Sequence, residues 1–500
     1  MEAELLVSRV LGETRVALLE DGVTQEVFLE REHERSVVGN IYRGRITRVL
    51  PGMQAAFVEI GLPRAAFLYV DDIVYDDGDD EREEREDLES DEEAPPPRPS
   101  IRELISEGQE VTVQVTKAPL GTKGARVTTY ITIPGRSVVF MPTMDRLGVS
   151  RKIQDEEERK RLKEVMETQR QGQPGGFIAR TACVGLEDAE IARDMSFVRS
   201  LWADVERKSR GTSAPSLIQA DLDLVLRATR DMFTEHILRM TVDQPSEAER
   251  IRALLERFAP HLAERIVVHP EGGAPLFDAF GVEQAIGRAL ERRVPLSSGG
   301  SLVVDEAEAL TAIDVNTGSF VGSRDLEATI LRTNLEAAAE VAHQIRLRNL
   351  GGIIIIDFID MQLPENRSLV QSAFQTALER DRARSHVLPM TEFGLVELTR
   401  KRVRPSMGRT LTEPCPYCEG RGWVRSRASI CQSILRSIRA RVGTDLGKGL
   451  IVSAMPEVAT ALTGAYRGRL EAVEAELGLP VVIEARAELH QERFEVVVRR

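Results

Sequence analysis

Residues 1–35 alternate apolar and polar positions (ELLVSRV, TRVALLE, TQEVFLE), which predicts strands and a hairpin turning at Asp21–Gly22. A second strand-rich block follows: NIYRGRITRVLPGMQAAFVEIGLPRAAFLYV and, after an acidic stretch, EGQEVTVQVTKAPLGTKGARVTTYITI. Its short strands, punctuated by Gly and Pro, predict a small barrel. Strands and helices then mix. DEEERKRLKEVMETQRQ predicts a charged helix, and GGFIARTACVG a strand leaving a Gly pair. Residues 216–290 read as largely helical, with SEAERIRALLERFAP as an amphipathic piece. From residue 301 the pattern changes again. ALTAIDVNTGSFVG is an apolar strand entering a glycine turn, and DLEATILRTNLEAAAEVAHQIRLRNLGG is an amphipathic helix stopped at Gly351–Gly352. IIIIDFIDM returns as a strand expected to be buried on both faces. Residues 426–500 predict a small mixed domain whose role the pattern does not reveal.

Five hundred residues exceed a single core, so three or more domains are expected. Four cysteines without a paired framework point to a reducing compartment. The N-terminus has acids and arginine where a secretory signal needs an apolar run, and no apolar stretch reaches membrane-spanning length. A cytoplasmic protein is expected. The net charge of −14 argues against a nucleic-acid partner only until it is located. Residues 71–93 hold 15 acids and 2 arginines, and APPPRPS follows, which predicts a solvated, disordered insertion over 71–99. The remainder is near neutral and leaves room for basic patches at Arg400, Lys401, Arg402 and Arg404 and at Arg421, Arg425 and Arg427. In the barrel, Tyr42, Phe57, Phe67 and Tyr69 interleave with Arg43, Arg45 and Arg48, the composition of an OB-type surface on which bases stack. Composition leaves core and surface equally open for each ring.

The strand, crossover helix and strand of residues 309–361 predict a right-handed unit with parallel strands. Asp314 and Asp357 then share the C-terminal edge of the sheet, on strands about 4.8 Å apart, with Asn316 on the same side as Asp314. A lone Asp at a strand end commonly caps a turn. Two at matched ends, with Asn316 and Asp360 nearby, instead suggest Mg²⁺, which takes oxygen ligands and is completed by water and substrate phosphate. TEPCPYCEGRG offers two thiolates, Cys415 and Cys418, where a tetrahedral zinc needs four ligands. Cys431 has no partner and Cys183 lies on an apolar stretch expected to bury a free thiol. The simplest completion is the same pair from a second subunit, giving one Zn²⁺ per two chains. Gly121 and Gly124 in LGTKGAR resemble a phosphate loop but lack its length and its following helix, so a plain turn is expected, and His343 within the crossover helix reads as structural.

Together, GNIYRGRITRVLPGMQAAFVEIG, GTKGAR, GGFIARTA, ALTAIDVNTG, NLGGIIIIDFIDM and CPYCEGRG resemble, in this order, the bacterial ribonuclease E/G family. They cover almost the whole chain, and the resemblance leads one to expect a G-type member without the long tail of the E-type. The resemblance implies a multidomain α+β protein. An RNase-H-like scaffold would be formed by 1–35 and 226–289, with an S1-type OB barrel over 36–123 and a 5′ sensor over 124–225 inserted in it. A DNase-I-like catalytic domain over 290–411, a zinc link over 412–425 and the small domain over 426–500 would follow. It implies an endoribonuclease cutting single-stranded RNA, including rRNA precursors and mRNA, that leaves a 5′-phosphate on the downstream product and is stimulated by a 5′-monophosphate. Asp314 and Asp357 would hold Mg²⁺, and Asn316 would position the phosphate or the ion. Phe57 and Phe67 would stack bases beside Lys123. Arg180 and Thr181, with backbone contacts from Gly135 and Val139, would read the 5′-monophosphate. Cys415 and Cys418 would join a homodimer through zinc, with a tetramer left open. The alternatives are a non-catalytic zinc-linked RNA-binding scaffold and a tailless E-type member.

Overall fold

The computed structural model describes residues 2–75, 99–119, 123–318, 326–441 and 448–499. Most of the acidic insertion, and Gly121 of the turn expected at LGTKGAR, lie outside them. The chain is a mixed α+β protein in two compact units, 1–407 and 408–500. No helix among the described residues is long and apolar enough to cross a membrane.

The three N-terminal strands Ala3–Val10, Glu13–Glu20 and Val23–Arg31 form an antiparallel meander. Ala3–Val10 pairs in parallel with Ile237–Val242, which pairs with Ile266–Val268, so chain ends some 230 residues apart share one five-stranded sheet. The expectation that 216–290 is largely helical holds for most of the segment but misses its strands, Ile237–Val242 among them. Ile237–Val242 is hydrogen-bonded on both edges, and a short apolar run of this kind carries no period that separates it from a helix.

Between these halves lies a closed five-stranded barrel. Ile41–Leu50, Ala55–Glu59, Ala66–Tyr69, Arg126–Thr128 and Glu110–Lys117 pair in that order, and the first closes on the last. Ile46, Val58, Leu68, Val113 and Val127 fill the interior. A four-stranded sheet follows in the order Leu147–Val149, Gly176–Ala179, Val138–Met141, Ile133–Pro134. Helices Glu156–Arg170 and Asp188–Gly211 pack with it around Phe140, Phe177 and Met166. Asp155 caps the first of these, accepting from the amides of Glu157 and Glu158.

The last sheet of the first unit has six strands, Arg293–Pro295, Ser301–Glu306, Leu310–Asn316, Gly352–Asp357, Leu395–Arg400 and Ser385–Val387. Only Leu310–Asn316 and Gly352–Asp357 are parallel, joined through the helix Leu326–Leu347. That helix and Pro364–Leu378 share one core with Ile354 and Ile356. The second isoleucine strand is therefore buried on one face only. Ile354 and Ile356 are fully buried, whereas Ile353 is 50% exposed, because both helices of this core pack on the face that carries Ile354 and Ile356. The same alternation buries Arg400, which ion-pairs with Asp381 at 2.6 Å, and Arg404 packs 3.9 Å over Phe28. Half of the basic patch expected at 400–404 thus serves the core.

The crossover helix is tied to the N-terminal sheet. His343 Nε2 meets the Thr24 carbonyl at 2.9 Å, in keeping with a structural role. Arg346, only 3% exposed, pairs with Glu20 at 2.7 Å and Glu26 at 3.2 Å. Arg346→Ala leaves the buried Glu26 without its cation, so a loss of about 3–5 kcal/mol is expected. A urea midpoint within error of the parent's would contradict this.

Candidate active site and RNA interface

Asp314 and Asp357 are direct partners in the parallel register. Strand alternation sends Ile313, Val315 and Ile356 into the helical core and leaves both carboxylates exposed on the opposite face. Asn316, two residues on, donates from Nδ2 to Asp314 Oδ2 at 2.6 Å and fixes that carboxylate. The pair lines a cleft of about 280 Å³ with Asn316, Thr317, Phe358, Ile359 and Asp360. Burial, with the charges of Asp314 and Asp360, raises the Asp357 carboxyl above its ordinary value. Among the described residues no Lys or Arg forms an ion pair with Asp314, Asp357 or Asp360. Crowded, uncompensated oxygen donors of this kind fit a hard divalent cation.

Two supports of this cleft have no sequence signal. Asn334, fully buried in the crossover helix, donates to the Ile359 carbonyl at 2.8 Å and accepts from the Ile359 amide at 3.1 Å. It pins the loop that leaves Asp357. Glu327, on the same helix, accepts from the amides of Gln362 and Leu363 and from Asn366 Nδ2. Nothing in the helical period marks either residue as different from its neighbours.

On the barrel the rings separate by face. Tyr42 is 5% exposed and belongs to the core, whereas Phe57 and Phe67 are half-buried and Tyr69 is exposed. Phe57 and Phe67 are register partners on adjacent strands, with centroids 5.4 Å apart and planes at 82°. Tyr69 continues the row 4.6 Å from Phe67, and Arg126 lies 4.8 Å over its ring. Lys123 is exposed. Its neighbour Gly124 packs so tightly on Ala65 that a Cβ would sit 2.0 Å from the Ala65 carbonyl oxygen, and Ala125 accepts from the Phe67 amide at 2.7 Å.

Arg180 and Thr181 follow the strand Gly176–Ala179, and Thr181 is exposed. Gly135 lies opposite in a tight turn. Its amide donates to the Val138 carbonyl and its own carbonyl accepts from Arg180 Nη1 at 2.7 Å. Buried Asp194 builds this turn, accepting from the amides of Arg136, Ser137 and Val138. It also explains the glycine, because a Cβ at Gly135 would stand 2.6 Å from Asp194 Oδ2. Val139 pairs with Ile178 on the adjacent strand. The expectation of a free Cys183 holds, but the residue sits in a short 3-10 turn (Thr181–Cys183) after the strand, not on it. Burial pushes its thiol up to about 11, so it is inert.

Cys415 and Cys418 are both free thiols at the surface of the second unit. Amides of Cys418 and Tyr417 hold the Cys415 thiol below its ordinary value, and the Gly422 amide donates to Cys418 Sγ at 3.3 Å. The turn is anchored within its own unit. His490 donates to the Tyr417 carbonyl at 2.7 Å, and Arg421 pairs with Glu492 at 3.0 Å. Among the described residues no further His, Cys, Asp or Glu completes a set of three with the two thiols.

The chain thus combines a closed OB-like barrel, a paired-carboxylate cleft and a two-cysteine turn. Comparison with known proteins shows its family. The model of the ribonuclease E/G family matches residues 132–403, and that of the RNase E/G thioredoxin-like domain matches 414–499. The chain is 44% identical over 498 residues to Ribonuclease G of Haemophilus influenzae, covering 99% of both chains. It is 43% identical to Ribonuclease G of Escherichia coli K12, over the whole length of each. Ribonuclease E of Escherichia coli K12 is 35% identical over 95% of this chain, which spans 44% of that relative. The chain belongs to the ribonuclease E/G family.

Proposed function

We propose that this endoribonuclease is Mg²⁺-dependent, cuts single-stranded RNA, including rRNA precursors and mRNA, and leaves a 5′-phosphate on the downstream product. The observation that carries the proposal is the register pairing of Asp314 with Asp357, with Asn316 bonded to the first. Asp314 and Asp357 would hold the cation through their oxygens. When bound, such an ion lowers the pKa of a water and neutralises charge building on the phosphate. Asn316 keeps the Asp314 carboxylate oriented, and Asn334 fixes the loop beyond Asp357. Bases stack on Phe57 and Phe67, while Lys123 meets a backbone phosphate; Arg126 is held by Asp72 at 2.8 Å. The protein acts in the cytoplasm as a homodimer joined by zinc at Cys415 and Cys418. Incubation with one sequence as single-stranded RNA and as DNA tests the reaction class. Cleavage of RNA alone, with 5′-phosphate product ends, is expected; equal cleavage of DNA would contradict it.

Arg180, with Thr181 and the turn that carries Gly135 and Val139, reads the substrate's 5′-monophosphate. Arg180→Ala is expected to slow cleavage of 5′-monophosphorylated RNA about tenfold, the loss of one charge-assisted contact, and to leave 5′-hydroxyl RNA nearly unchanged. Initial rates on the two substrates decide it. Equal slowing would make Arg180 structural.

A further inference from the structure

Arg180 does not stand free at its proposed phosphate site. All of its side-chain hydrogen bonds leave from Nη1, to the carbonyls of Gly135 (2.7 Å) and Arg136 (3.3 Å) and to Asp231 Oδ1 (2.8 Å). Asp231 comes from a different element, the helix Leu224–Met232. Its carboxylate is gripped from the other side by Arg230, at 3.1 Å from Nε to Oδ1 and 2.8 Å from Nη2 to Oδ2. Arg230 is itself only 9% exposed and donates through Nη1 to the Pro134 carbonyl at 3.2 Å. The contacts close a loop that ties the turn at 134–136 to Arg180 through one carboxylate. Burial pushes the Asp231 carboxyl up, but Arg230 and Arg180 outweigh it and hold the group below its ordinary value. It stays charged at neutral pH.

Among the described residues, Nε and Nη2 of Arg180 and the exposed Thr181 hydroxyl have no protein partner. Those are the donors a terminal phosphate needs. A guanidinium recognises phosphate through two donors of a rigid fork, so the contact depends on where the fork lies. Holding one arm by a carboxylate and two carbonyls fixes the other arm before substrate arrives. Asp231 is shared by two guanidiniums, and the other nearby carboxylate, Asp194, is turned inward and taken up by the amides of residues 136–138, so the clamp leaves the outer arm of Arg180 open to an anion.

We propose that Asp231, backed by Arg230, is the positioning residue that makes Arg180 selective for a 5′-monophosphate. This rests on the reading of Arg180 as the sensor. The carboxylate touches no substrate; it acts through the guanidinium it holds.

The test uses full-length protein and one RNA sequence carrying either a 5′-monophosphate or a 5′-hydroxyl. Asp231→Ala is expected to raise KM for the monophosphorylated RNA about tenfold, the order of one weakened hydrogen bond to a charged group. Its kcat on that RNA and its rate on the 5′-hydroxyl RNA should hold. Asp231→Asn keeps an acceptor for Nη1 and should recover much of the lost preference, which a purely structural lesion would not allow. If Asp231→Ala slows both RNAs alike without rescue by Asn, or strengthens the 5′-phosphate preference, the assignment is overturned. Arg180→Ala separates the two layers. If it removes the preference while Asp231→Ala does not, only the positioning role falls. If it slows both RNAs equally, the sensor and the positioning role fall together.

Discussion

Asp314→Asn and Asp357→Asn are each expected to abolish cleavage while RNA binding stays within about tenfold, or ~1.4 kcal/mol. The two side chains are register partners on parallel strands, so each supplies half of one oxygen site. Asparagine preserves shape and Asn316 keeps a hydrogen-bonding partner, but the charge that draws the cation is halved. A metal acts chiefly on the transition state, whereas the barrel's rings supply ground-state contacts. Rate and affinity should therefore separate. Gel-shift and single-turnover assays on the same RNA measure both, and near-parent turnover by either variant would sink the two-carboxylate assignment. The raised Asp357 carboxyl adds a check. It must lose its proton to hold a cation, so activity should fall as the pH is lowered, and added Mg²⁺, which competes with that proton, should move the fall to lower pH.

The second large effect concerns assembly. Replacing Cys415 and Cys418 by serine should dissociate the dimer and lower activity, while Asp314 and Asp357 still bind Mg²⁺. The cysteine turn is held by His490 and Arg421, so it keeps its shape without metal and presents two thiols with no protein completion among the described residues. A closed tetrahedral site needs four ligands. A two-fold axis through the metal would supply the other two from an identical turn. Zinc content read beside mass in solution is decisive. One zinc per two chains is expected; one zinc per chain on a stable monomer would refute the shared site.

The parallel pair at 314 and 357 was legible because strand, amphipathic helix and strand leave strong local periods, and one register follows from them. The barrel was legible as a class but not by ring. Which face Tyr42 and Phe57 take depends on strand alternation within a closed sheet, and a one-residue difference in phase reverses it. What stayed hidden was non-local. Ile237–Val242 is a strand because Ala3–Val10, over 200 residues away, pairs with it. Arg400 lies inside because Asp381 waits there, and Asn334 matters because the loop at Ile359 folds back onto its helix. Asp231 looks like any surface acid until Arg180 arrives from another element. Local pattern carries periods; it does not carry partners.

The most direct test of the central claim is the unmodified protein on a short 5′-monophosphorylated single-stranded RNA, with Mg²⁺ or with EDTA. The account predicts internal cleavage with Mg²⁺, none with EDTA, and full return when Mg²⁺ is restored in excess. Undiminished cleavage in EDTA would contradict it.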